Sequence, residues 1–253
     1  MRQLGKRPPG HFARMAPRLR DFAVKPLPSA PAAVDHAAGV QWRMFENDAL
    51  GCCTISAWAN GVVQRTTLGQ GVPLVMGDGL VRQLYGQLAG WSPSAPGDPG
   101  PGLVEVDVLA HFARVGADLG RQAPEVTLWA AIDVGDWETL RAAIWLFGHA
   151  TLGLAMPITA MDQTDWEVVP GAAGSAAGSW GGHCVIAVAY DAEGVTLVSW
   201  GETRRASWKF LTAYLDEAYA THAPEEWIGT NGLAPGAFGW DYLAAAHARL
   251  RAA

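Results

Sequence analysis

Leu50-Gly51-Cys52-Cys53-Thr54 and Gly181-Gly182-His183-Cys184-Val185 are the two stretches on which the reading of this chain turns, with His183 standing 130 residues after Cys53. A thiolate, not a thiol, attacks carbonyl carbon, so a nucleophilic cysteine needs its pKa lowered. The unpaired N–H groups of a helix N-terminus do part of that work, and an imidazole nearby does the rest. After Cys53, the residues Ile55, Trp58, Ala59, Val62 and Val63 recur at helical spacing. They predict a buried helix to about Leu68 whose first turn contains Cys53, with Asn47 and Asp48 offering capping chemistry just ahead. His183 opens a strand-like run behind two glycines, which let backbone approach closely.

Working outward, Val81–Leu88 and Val106–Leu119 carry helical period, and Trp91–Gly102 between them is the clearest loop. It reads as an inter-lobe linker or a surface excursion. Val40–Met44 reads as a short strand or an approach to the site. Asp136 caps a helix that carries Leu140, Ala143, Ile144 and Phe147 and stops at Gly148. Thr151–Met156 reads as a strand, and Pro170–Gly182 as a loop delivering the chain to His183. The strands His183–Tyr190 and Val195–Trp200 are joined by the turn Asp191-Ala192-Glu193-Gly194. Ser207 caps a helix with Phe210, Leu211, Tyr214 and Ala218, and Asp241 opens a last helix. Helices first, then strands with helices after them, predict an α+β fold rather than a doubly wound sheet.

The chain has 253 residues, half of them hydrophobic and 17% charged, enough for a packed core and unlike a disordered chain. The net charge of -6 conceals seven basic residues against one acid, Asp21, within residues 1–25. Residues 1–40, rich in Pro, Arg and Ala, read as a strap over a body spanning 41–253. Without aromatic interleaving this basic arm predicts no nucleic-acid partner. Pro8, Pro9, His11 and Arg14 interrupt any secretory signal, and no apolar run reaches membrane-spanning length. Three cysteines, two of them adjacent, make a poor disulfide framework, so a reducing, cytoplasmic setting is expected.

Asn47-Asp48-Ala49-Leu50-Gly51-Cys52-Cys53-Thr54-Ile55-Ser56-Ala57 resembles the nucleophile segment of papain-like cysteine peptidases, Gly181–Asp191 their histidine strand, and Ser199-Trp200-Gly201 the tail of their Asn-Ser-Trp-Gly motif. The resemblance implies a helical lobe carrying the nucleophile helix (about 41–148) packed on an antiparallel β-sheet lobe carrying the histidine strand (about 149–253). It implies hydrolysis of a peptide or other amide bond, with Cys53 attacking, His183 carrying the proton, and Asn47 with the Cys53 backbone N–H stabilising the oxyanion. Trp180 and Trp200 wall the site, and no cofactor is needed. The orienting asparagine falls on Val198, which cannot hydrogen-bond imidazole. Either Ser199, Glu202 or Asp191 orients His183 instead, or the histidine is unassisted, or the site is silent. Gly178-Ser179-Trp180-Gly181-Gly182-His183 and the Ser-Trp-Gly that follows also resemble a little-characterised branch found in phage and prophage sequences. There the missing asparagine belongs to the branch. No long inhibitory prosegment precedes Cys53, so zymogen control is not expected.

Competing readings are weaker. A silent papain-fold binding or structural protein is favoured by Val198. Zinc on Cys52, Cys53, Cys184 and His183 is disfavoured, because strand neighbours point to opposite faces. His149 at a helix end suits the C-terminal dipole, while His111, His222 and His247 read as surface residues. Glu225-Glu226 reads as a solvated loop, and Asp162, Asp165 and Glu167 show no acid–base spacing.

Overall fold

The computed structural model describes residues 2–22, 29–74, 76–120, 127–229, 231–235 and 248. The helix expected from Asp241, His247, and the strap residues Pro26–Pro28 lie outside these. The elements run α1 (His11–Met15), α2 (Leu19–Phe22), β1 (Val34–Asp35), α3 (Cys53–Gln70), α4 (Asp78–Ala89), α5 (Glu105–Arg114), β2 (Leu128–Ile132), α6 (Trp137–Phe147), β3 (Ala150–Met156), β4 (Gly181–Tyr190), β5 (Gly194–Ser199), β6 (Glu202–Ser207), α7 (Trp208–Tyr214), β7 (Leu215–His222) and α8 (Pro224–Trp227). The fold is α+β, and its sheet is antiparallel in the order β2-β7-β3-β4-β5-β6, with β1 added to the end of β4. Among the described residues no helix is long and apolar enough to cross a membrane.

Helix α3 is buried on every face from Cys53 to Thr66 and ends where Gly71 turns left-handed. A helix buried all round belongs in a core, so its polar side chains need protein partners. They have them. Ser56 donates to the Phe45 carbonyl, Asn60 exchanges hydrogen bonds with Arg43, and Gln64 donates to the His36 and Gly148 carbonyls. These bonds lash residues 36–45 along the helix, and Val40–Met44, read as a short strand or an approach to the site, is not a strand. Asn47 and Asp48 do not cap the helix: the N-cap is Cys52, with no side-chain cap.

Several other elements differ from expectation. The helix capped by Ser207 stops at Tyr214, and Ala218 lies in β7 between β2 and β3. Leu215–His222 has helix-forming Ala and Glu, but pairing on both edges overrides that preference. The helix at Val106 ends at Arg114 rather than Leu119. Glu226 is not solvated; it is buried in α8 and paired with Arg65 at 3.1 Å. His222 is buried beside Phe147 rather than on the surface. Trp91–Gly102 is a surface excursion organised by Asp98, which accepts from Ser94, Gly100 and the Trp91 indole, and it braces the loop ahead of Cys53 through Gly51 N–H to Pro99 O at 2.8 Å.

Gly61 lies mid-helix in α3, where a β-carbon would stand 2.6 Å from the His149 ring. Helix propensity alone predicts that Gly61→Ala stabilises by about 1 kcal/mol. The packing predicts the reverse sign, a lowered urea midpoint, and a raised midpoint would contradict this account of how α3 seats.

Candidate active site

Cys53 opens α3, and its thiol accepts the Cys184 N–H of β4 at 3.4 Å. One residue back along β4, the His183 ring is buried, with Nε2 2.7 Å from Ser199 Oγ. Trp200 stacks on that ring at 4.3 Å and 13°, and Trp166 meets it edge-on. Trp200 has a φ of 52°, a left-handed conformation for a bulky residue, as the chain turns from β5 into β6. Phe45 and Glu46, just ahead of the nucleophile loop, are left-handed too. Backbone strain of this kind collects at functional sites.

Among the three residues expected to orient His183, the structure brings Ser199 to it. Asp191 instead pairs with Arg205 at 2.7 Å, and Glu202 lies near Arg2 and Arg204. Val198 faces the small apolar cluster of Cys53, Cys184 and Ile186. Trp180 is half-buried against Trp200 at 5.8 Å. Asn47 is buried, and its amide donates to Leu50 O at 3.1 Å and reaches Gln3 O at 3.5 Å. Sequence reasoning passed over Trp166 and Arg204. Arg204 sits over both Trp166 and Trp200, and its guanidinium donates to the Gln163 and Thr164 carbonyls.

The N-terminal strap crosses this site. Gln3 N–H donates to Asn47 O, and Gln3 O accepts from the Trp200 indole at 3.1 Å. Gly5 lies so close to the Gly51 carbonyl that no β-carbon fits there. Lys6 N–H donates to Gly182 O, Gly5 O accepts from Leu103 N–H, and Arg7 N–H donates to Leu103 O. Residues 3–7 thus run between the loop ahead of Cys53 and strand β4, and Cys53 and His183 are each 1% exposed beneath them. These few residues are enough to cover the pair.

Burial sets the protonation state. It pushes the Cys53 thiol up to about 11, despite opposing help from the backbone N–H groups of Cys184 and Gly5. Burial, with the Arg204 charge adding to it, pulls His183 down to about 3. Both groups are therefore neutral near pH 7 under the strap. Nε2 is occupied by Ser199, Nδ1 has no hydrogen-bond partner among the described residues, and so no hydrogen bond joins thiol and ring in this conformation. His149 is likewise neutral rather than a helix-end cation. Burial and then Arg65 lower its pKa, while its Nδ1 contacts Gln64 Oε1 at 2.7 Å and its Nε2 contacts Thr221 Oγ1 at 2.9 Å. His36 is lowered by burial as well.

These depressed values make stability depend on pH. Between about pH 6.5 and His183's value of about 3, the unfolded chain binds protons that the folded chain refuses. The histidines' contribution is complete above about pH 6.5 and is lost as pH falls. The urea midpoint is expected to drop between pH 7.5 and 5, above the range where exposed carboxylates titrate, and to drop further in Glu105→Gln, which removes a carboxyl raised well above that range; a flat profile in that variant would contradict the neutral buried histidines.

No family model matches the chain, and no curated protein does. Solved structures do. Xylellain, a cysteine protease from Xylella fastidiosa, superposes with a TM-score of 0.62 at 12% identity, covering 88% of this chain and 98% of that one. Digestive procathepsin L 3 of Tenebrio molitor larval midgut gives 0.54 at 12% identity over 87% and 76%. The Carica candamarcensis cysteine protease CMS1MS2 gives 0.51 at 13% identity over 76% and 99%. With Cys53 at a helix N-terminus and His183 on an antiparallel strand beside it, the chain has the fold of the papain-like cysteine proteases.

Proposed function

We propose that this chain is a papain-like cysteine hydrolase that cleaves a peptide or other amide bond once residues 3–7 leave the cleft. The observation that carries this reading is the environment of His183. Ser199 holds Nε2 at 2.7 Å and Trp200 clamps the ring face, while Nδ1 is left without a hydrogen-bond partner among the described residues. With its proton on Nε2 toward Ser199, the ring carries a lone pair on Nδ1 with which to take the proton of a thiol. A hydroxyl thus stands in for the amide that Val198 lacks.

In this reading, departure of the strap admits water and peptide, and desolvation of both groups weakens. The helix N-terminus then favours the Cys53 thiolate, and His183 passes the acquired proton to the leaving amine. The acyl carbonyl takes the place of Gln3 O, near the Asn47 amide, with the Cys53 backbone N–H as second donor. Leu103 and Gly182, whose backbone groups now bind the strap, are free to bind a substrate backbone.

The three free, buried cysteines support a reducing setting such as the cytoplasm. The motif resemblance supports a phage- or prophage-associated origin. A second reading, a silent papain-fold binding protein, is favoured by the neutral, unbonded pair in the covered state.

Full-length Lys6→Glu places a carboxylate against Asp216 and Glu217 and is expected to release the strap. Iodoacetamide labelling at Cys53, followed by peptide mass mapping, is expected to be slow in the native chain and fast near pH 6 in Lys6→Glu. His183→Ala in that background is expected to slow it about a hundredfold. Ser199→Ala is expected to slow it as well, and Ser199→Thr, which keeps the hydroxyl, to slow it less. A rate that rises only through the ordinary thiol pKa of about 8.5 and ignores His183 would establish the silent reading.

A further inference from the structure

The Lys6 ammonium lies among three carboxyl groups contributed by two parts of the chain, Asp216 and Glu217 of β7 and Glu105 of α5. Its side chain has no exposed surface, and Nζ stands 2.7 Å from Glu217 Oε1 and 3.0 Å from Asp216 Oδ2. Glu105, from the first turn of α5, is 1% exposed and faces the same charge. The Cys184 thiol beside it favours its carboxylate slightly, but neither Glu105 oxygen has hydrogen-bond geometry to any described group. Gly153 forms part of the wall, because a β-carbon there would collide with both the Lys6 stem and the Glu217 side chain. Tyr219 donates to the other Glu217 oxygen at 2.7 Å and fixes that carboxylate in place.

This pocket opens on the peptide track of the proposed hydrolase. The Lys6 backbone occupies Gly182 O, next to His183, and its neighbours Gly5 and Arg7 pair with Leu103. We infer that Glu105, Asp216 and Glu217 form a subsite for the cationic side chain of a bound peptide, a lysine or arginine, and that Lys6 occupies it in the covered state. This rests on the cleft being a peptide-binding cleft, as proposed above.

Charge bookkeeping supports the assignment. Burial disfavours the Lys6 ammonium, yet Glu217, Glu105 and Asp216 outweigh burial and hold its pKa above the ordinary lysine value. Burial, reinforced by Glu217, raises the Glu105 pKa well above the carboxylate range even with Lys6 present. Removing the ammonium leaves Asp216 and the buried Glu217 without a counter-charge, which is unfavourable unless another cation enters. A peptide with a neutral side chain at this position leaves that cost standing. One with Lys or Arg removes it, and selectivity follows from the difference.

The test uses the full-length Lys6→Glu chain, with Lys6→Met in its place if Lys6→Glu does not fold. Two capped synthetic peptides of the strap sequence Arg2–Pro8 are added in trans, one native and one with norleucine for Lys6. Protection of Cys53 from iodoacetamide is read by mass mapping. The native peptide is expected to protect at about tenfold lower concentration or better, and Glu217→Gln with Asp216→Asn is expected to abolish that advantage. Equal protection by the two peptides, or none from either, overturns the subsite. Amide substrates with Lys, Leu or Glu at this position separate the two readings. Turnover without a lysine preference rejects the subsite and keeps the hydrolase. A lysine-dependent protection without turnover keeps the subsite and rejects the hydrolase.

Discussion

Complete burial of the first four turns of α3 against β4 is the constraint from which the rest of this structure follows. A helix with no solvent face has to satisfy each polar side chain internally, and Ser56, Asn60, Gln64 and Arg65 do so by gathering residues 36–45, the β3 approach at His149 and helix α8 around it. The same packing sets the helix N-terminus against the middle of the sheet, where the Cys184 N–H meets the Cys53 thiol. The position of Cys53 is thus a consequence of core packing, not of a flexible loop.

Burial also works against the chemistry it positions. A thiol and an imidazole side by side in a dry site stay neutral, because an ion pair gains less from mutual attraction than it loses in hydration. The strap completes that dryness. It also brings its own ammonium to carboxylates that would otherwise stand buried and uncompensated. Coverage of the site and neutralisation of the acidic pocket are therefore one event, coupled through Lys6.

Elements set by local chemistry were readable in the sequence. Asp136 and Ser207 cap helices through their own side chains, accepting from Thr139 N–H and Phe210 N–H. The α3 periodicity and the β4–β5 hairpin are equally local. Elements whose stability comes from distant partners were not readable. β6, with two arginines in six residues, is a strand because β5 lies beside it, and β7 is one because β2 and β3 enclose it. His222 and Glu226 were misread for the same reason: their burial is conferred by Phe147 and Arg65, remote in the chain.

The amino-acid order alone determined that a cysteine opens a buried helix and that a histidine opens a strand far downstream, because capping, periodicity and glycine placement act over a few residues. It also offered Ser199, Glu202 and Asp191 as partners for the histidine, beside the readings in which the ring is unassisted or the site is silent. The choice of Ser199 belonged to the folded chain, since it depends on how β5 registers against β4 and on the left-handed turn at Trp200. So did the neutral state of the pair and the pocket around Lys6, whose bond to Asp216 spans 210 residues. Desolvation and charge are properties of a three-dimensional surrounding, and no spacing along the chain encodes them.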